Sequence, residues 1–155
     1  LMYTALETLK QKGVKISDEE EQSALLAILL HDLGHGPFSH ALESLLMQNW
    51  HHEKLSILLM QKLNEEFNGE LDMALEMFQG KYHRKFFNQL ISSQLDVDRL
   101  DYLKRDSFFT GVSEGSVNTQ RIISMMNVKE EELVIDEKGV YSIENFLTAR
   151  MFMYW

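Results

Sequence analysis

The sequence predicts a mostly α-helical domain with one small β-hairpin near its C-terminal end. Three observations carry that reading. Apolar residues recur at helical spacing along most of the chain. A single Pro and eight Gly in 155 residues leave few interior breaks. The segments that read as strands are short and fall after residue 130. A chain of this length is one ordinary domain, and 45% hydrophobic residues provide a core without disulfide staples.

The elements follow in order. Residues 1–12 place Leu1, Ala5, Leu6 and Leu9 on one helical face and stop at Gly13. Ser17 with Glu20 three positions later is a capping box. The helix it opens is apolar on nearly every face over residues 24–30, the pattern of a central, buried helix. Gly34, Gly36 and Pro37 break it, and residues 38–48 predict a third helix. Residues 51–67 form an amphipathic helix ended by Asn68 and Gly69. Shorter helices are predicted over 71–78 and 83–92, a strong one over 94–107 and another over 117–126. Residues 133–135 and 140–142, split by Asp136, Glu137, Lys138 and Gly139, read as the hairpin, after which Ser142 caps a last helix.

Composition narrows the function. With no Cys, a thiol nucleophile or a Cys-based zinc site is excluded. Fifteen basic against 24 acidic residues give a net charge of −9, without the basic face on which general nucleic-acid binding rests. No apolar run approaches the roughly 20 residues that span a bilayer, and no signal peptide opens the chain. A soluble, cytoplasmic protein with no membrane partner is the expectation. Both ends read as cut, since the first helix has no cap before it and the last is still periodic at Trp155. Residues 1–155 are therefore expected to be a single domain, truncated at both ends, of a longer protein.

The chemistry concentrates in two segments. In His31-Asp32-Leu33-Gly34-His35-Gly36-Pro37-Phe38-Ser39-His40, three of the six histidines lie within ten residues. An unpaired Asp32 at the end of an apolar helix carries a heavy desolvation cost. A divalent cation held by imidazole and carboxylate removes it. The second segment is Gln94-Leu95-Asp96-Val97-Asp98-Arg99-Leu100-Asp101-Tyr102-Leu103-Lys104-Arg105-Asp106. On a helix, Asp98, Tyr102 and Asp106 share one face. A charged helix laced by pairs such as Asp101–Arg105 accounts equally for that spacing. Spacing alone does not say which of Asp96, Asp98 and Asp101 would reach a metal.

Together, HDLGHGPFSHALE, HHE, SSQLDVDRLDYLKRDSFFTGV and ENFLTAR resemble the HD-domain metal-dependent phosphohydrolases, in particular the deoxynucleoside triphosphate triphosphohydrolase branch. That resemblance implies an HD-domain helical bundle. It also implies one divalent metal (Mn, Fe, Mg, Zn or Ni) held by His31, Asp32, Asp98 and a histidine upstream of the present first residue. His35, His40, Glu43, His52 and Glu53 match the family's catalytic positions. Arg99, Tyr102, Asp106 and Arg150 match positions that contact the nucleotide. The implied reaction converts a deoxynucleoside triphosphate and water into deoxynucleoside and tripolyphosphate. The metal polarises the α-phosphate and activates water, while His52, supported by Glu43, serves as general acid. A homo-oligomer is the implied assembly, and residues 1–155 alone, lacking one ligand, are expected to be inactive. The competing expectations are a phosphohydrolase for nucleoside monophosphates or cyclic nucleotides, and a non-catalytic nucleotide sensor.

Overall fold

The computed structural model describes residues 1–38, 40 and 51–154, and among these the chain is helical with one two-stranded sheet. The elements are α1 (Met2–Gln11), α2 (Asp18–Leu30), α3 (His52–Glu66), α4 (Asp72–Phe78), α5 (Lys85–Ile91), α6 (Val97–Thr110), α7 (Thr119–Met125), β1 (Met126–Lys129), β2 (Glu132–Ile135) and α8 (Val140–Met153). None of these helices is long and apolar enough to cross a membrane. The predicted third helix falls almost wholly on residues outside the described set, as does Glu43.

The core forms where α1, α2, α4, α5, α6, α7 and α8 turn their apolar faces together. Leu6, Leu9, Met77, Phe86, Phe87, Leu100, Ile122 and Phe146 are fully enclosed in it. Side chains of this size each contribute roughly 1.5–3 kcal/mol on burial. α2 departs from the sequence expectation. Ser23, Ala24 and Ala27 face the core, but Leu29 is 73% exposed among the described residues. Its small side chains are the fully buried ones, while Leu25, Leu26, Ile28 and Leu30 pack against the core half-buried.

The hairpin is present but lies one segment earlier than the sequence pattern suggests. β1 pairs antiparallel with β2, Met126 opposite Ile135 and Lys129 opposite Glu132. The turn is made by Glu130 and Glu131, both at positive φ (53° and 61°). Two glutamates are poor residues for a turn that asks for Asn or Gly, which is why the pattern did not reveal it. Contacts outside the hairpin hold it: the Glu131 carbonyl accepts from Phe86 N–H at 2.9 Å, and the Glu131 carboxylate pairs with Arg84 at 2.7 Å. The segment expected to be the turn, Glu137–Gly139, is instead a 3-10 helix leading into α8. Ser142 lies inside α8, not at its cap, because the helix already begins at Val140 after Gly139.

A polar network ties the start of α2 to α5 and the hairpin. Ser17 and Glu20 form the reciprocal capping box. The Glu20 carboxylate also accepts from Tyr82 Oη at 2.9 Å and from Arg84 Nη1 at 2.9 Å. Arg84 in turn lies over the Phe86 and Phe87 rings, 4.9 Å and 5.6 Å from their centroids. Burial pushes the Tyr82 phenol up to about 12, with the Glu20 carboxylate adding to it. For Glu20 itself burial acts upward, but the Ser17 N–H, Arg84 and Tyr82 together outweigh it and hold the carboxyl below its ordinary value. A depressed carboxyl contributes stability that is present above its unfolded pKa and lost as pH falls through the folded one. Glu20→Gln should therefore cost about 1–3 kcal/mol at neutral pH. The gap from the unchanged protein should narrow below about pH 4.5, as read from urea midpoints at two pH values. A gap independent of pH would show that the carboxylate charge contributes nothing.

Candidate metal centre

The last turn of α2 delivers His31. Its Nδ1 donates to the Ile28 carbonyl at 2.7 Å, which fixes the ring and directs Nε2 away from the helix. That Nε2 is buried and has no hydrogen-bond partner among the described residues. It faces Asp32 Oδ1 at 3.3 Å and Asp98 Oδ1 at 3.7 Å. One ligand atom from each of His31, Asp32 and Asp98 lies within 4.8 Å of the other two. An imidazole and two carboxylates this close call for a positive charge among them, either a proton on the ring or a metal cation. The donor set fits a divalent metal, one nitrogen and two oxygens, with the second ring nitrogen of His31 anchored on a carbonyl as metal-ligating histidines usually are. The electrostatics agree. Burial acts against protonated His31, yet the Asp98 and Asp32 carboxylates pull its pKa above the ordinary value. His31 in turn holds Asp98 below its own.

The start of α6 explains why Asp98, and not Asp96, reaches this point. Asp96 is fully buried and serves as the N-cap, accepting from Arg99 N–H at 2.7 Å and Ser93 N–H at 2.9 Å. It also pairs with the Arg99 guanidinium. Its oxygens are thereby committed to the helix end, while Asp98 on the first turn is half-exposed and turned toward His31. Asp101 is occupied by Arg105, one turn along. Gly111 closes α6 at φ 73°, a left-handed cap conformation suited to glycine.

His35, His40 and His52 gather beside the metal centre. His35 Nε2 is 3.3 Å from Asp32 Oδ1. Its ring stacks on His52 with centroids 4.2 Å apart, and His40 meets both rings edge-on at 5.1 and 5.2 Å. Glu53, next along α3, faces elsewhere and lines a cleft of about 510 Å³ with Ile57, Gln61 and Phe78. A larger cleft of about 660 Å³, between the α1–α2 loop and Arg84, holds none of the predicted site residues.

The predicted substrate residues divide. Tyr102 and Asp106 follow Asp98 on its face of α6, about 6 and 12 Å further along the axis. Burial raises the Tyr102 pKa, and the nearby Arg99 and Arg150 charges oppose that rise. Arg150, from α8, donates to Gln94 Oε1 at 2.9 Å. Arg99 is turned back on its own helix end, with Nη1 donating to the Ser93 carbonyl at 2.6 Å and Nε buried without a partner among the described residues. Gln94 was not singled out by the sequence, and nothing in its spacing marks it. Ser56 was also missed, although its place four residues after His52 puts it on the same face of α3.

Comparison with known proteins agrees with this geometry. The HD domain family matches residues 2–106 and the HD associated region matches residues 117–155. A phosphohydrolase of known crystal structure from Bacteroides thetaiotaomicron is 53% identical, with a TM-score of 0.95 over 99% of this chain and 38% of its own. The uncharacterized protein YwfO of Bacillus subtilis is 39% identical over 89% of this chain and 33% of its own. The Dictyostelium discoideum homolog of the deoxynucleoside triphosphate triphosphohydrolase SAMHD1 is 31% identical over 90% of this chain and 30% of its own. The chain thus spans about a third of the length of these relatives.

In the full-length protein, Asp98→Ala should abolish bound divalent metal, read by elemental analysis. Asp96→Ala should retain metal but unfold more easily, by about 1–2 kcal/mol for the lost cap. Equal metal loss in both would sink the distinction.

Proposed function

The chain belongs to the HD-domain family, and from that premise we propose that it hydrolyses deoxynucleoside triphosphates to deoxynucleoside and tripolyphosphate, in the cytoplasm and as a homo-oligomer. HD domains bind divalent metals, and phosphohydrolase chemistry is the family's activity. The observation that carries the finer reading is the juxtaposition of the orphaned His31 Nε2, Asp32 and Asp98 with three imidazoles and, along α6, with Tyr102 and Asp106. The name of the Dictyostelium relative supports the same substrate class.

On this reading His31, Asp32 and Asp98 would hold a divalent cation, which when bound supplies Lewis acidity to a phosphoryl oxygen and favours attack by water. Arg150, held by Gln94, spreads the phosphate charge, and Arg99 joins it only by leaving its pair with Asp96. Water adds to the α-phosphorus and gives up a proton to solvent, the bond from phosphorus to the sugar 5′-oxygen breaks, and His52 supplies the proton that oxygen takes and regains one from solvent. His35, stacked on His52, and His40 keep that imidazole in place. Tyr102 orients the sugar and Asp106 accepts from its 3′-hydroxyl. These three groups, His31, Asp32 and Asp98, are the ligands that the described residues supply.

The deciding experiment is incubation of the full-length protein with each deoxynucleoside triphosphate and Mn²⁺. Tripolyphosphate is the expected product; pyrophosphate or phosphate would indicate another phosphohydrolase activity, and binding without turnover a sensor. His52→Ala should keep metal and nucleotide but lose about 10²–10⁴-fold in rate. An emptied metal site in that variant would refute the general-acid role. Residues 1–155 alone should load little metal by elemental analysis and turn over no nucleotide, and full loading would show that no further ligand is needed.

A further inference from the structure

The loop that carries Asp32 and His35 is seated on the first turn of α3. Gly34 N–H donates to Ser56 Oγ at 2.9 Å, a buried bond between segments 22 residues apart. Ser56 is completely enclosed. Gly34 sits so close to the first turn of α3 that a Cβ there would lie 2.0 Å from the His52 carbonyl oxygen and 2.6 Å from Ser56 N. The contact therefore excludes any side chain at residue 34 and seats the loop on the turn that begins with His52.

We propose that Ser56 is a positioning residue, setting the distance between the metal-holding loop and the imidazole of His52. The proposal rests on the functional reading above, because it matters only if both sides act on one substrate. Gly34 lies two residues after Asp32 and one before His35, and Ser56 lies one helical turn after His52. A shift of the loop away from Ser56 moves Asp32 out of the metal centre and unstacks His35 from His52 together. The hydroxyl is the buried acceptor for the Gly34 N–H. Without it that donor is left unpaired inside the protein, and the loop can recover a partner only by lifting toward water. A hydrophobic packing role would need no oxygen at this position.

The test uses Ser56→Ala, Gly34→Ala and the double variant in the full-length protein, with Ala74→Gly in the core of α4 as a control for lost stability. Mn²⁺ affinity is measured by calorimetric titration, and the contact between the His35 and His52 rings by a nuclear Overhauser cross-peak in metal-free protein. Ser56→Ala should weaken Mn²⁺ binding 10–100-fold and remove the cross-peak. The control, at comparable loss of melting temperature, should change neither. The double variant should be no worse than Gly34→Ala, since both changes break one contact. Unchanged Mn²⁺ affinity and an intact cross-peak in folded Ser56→Ala would overturn the proposal, as would additive losses in the double variant. If the unchanged protein hydrolyses no deoxynucleoside triphosphate, the substrate reading fails while the affinity and cross-peak still decide the role of Ser56. If Gly34→Ala does not fold, Ser56→Ala against the control decides alone.

Discussion

Two carboxylates and an imidazole lone pair held within 4.8 Å of one another are the constraint to which the rest of this structure answers. The two carboxylates repel each other, and a positive charge on or beside the imidazole is what offsets that. All three groups stay together because each is anchored by an element with its own reasons to be there. His31 is fixed through Nδ1 on α2, Asp32 follows it on a loop seated against α3, and Asp98 rides on a helix end secured by Asp96. Contacts outside the cluster thus hold the three groups in place.

Those anchors depend in turn on how α2, α5 and the hairpin are bound together. Arg84 joins the Glu20 carboxylate, the Lys15 carbonyl and Glu131 while covering two core phenylalanines. Lys12 reaches from the end of α1 to the Met126 carbonyl and Asp136. The hairpin therefore acts as a clasp on the helical core, and its two glutamates at positive φ are held there by bonds made beyond the turn. Local strain tolerated for tertiary contact is the general case for such residues.

The helices were legible because their signals are local. The capping box at Ser17 and Glu20, the break at Gly34, Gly36 and Pro37, and the Asn68-Gly69 stop all involve residues within one turn of the boundary they mark. The hairpin position was not legible, because Glu130 and Glu131 are placed by α5, far away in sequence. At the site, the His-Asp pair and the face shared by Asp98, Tyr102 and Asp106 could be read from spacing. The choice of Asp98 over Asp96 could not, since it depends on which carboxylate the helix cap consumes. Ser56 was hidden for a different reason: a serine in the middle of an amphipathic helix looks like any half-polar position until the backbone across from it is known.

A net charge of −9 would at first sight repel a triphosphate. The ion pairs of α6 sharpen the point, because Arg99 is engaged with Asp96 and Arg105 with Asp101, so two of the helix's cations are already matched. Asp32, Asp98 and Asp106 then leave the face negative, with Arg150 brought in from α8 as a compensating guanidinium. Side chains alone do not make this surface attractive to phosphate. A divalent cation among His31, Asp32 and Asp98 would cancel both ligand carboxylates and remove the repulsion that an anion meets at this point. The excess of acid that argues against nucleic-acid binding is, at this one place, what a metal needs in order to bind and then to recruit an anion.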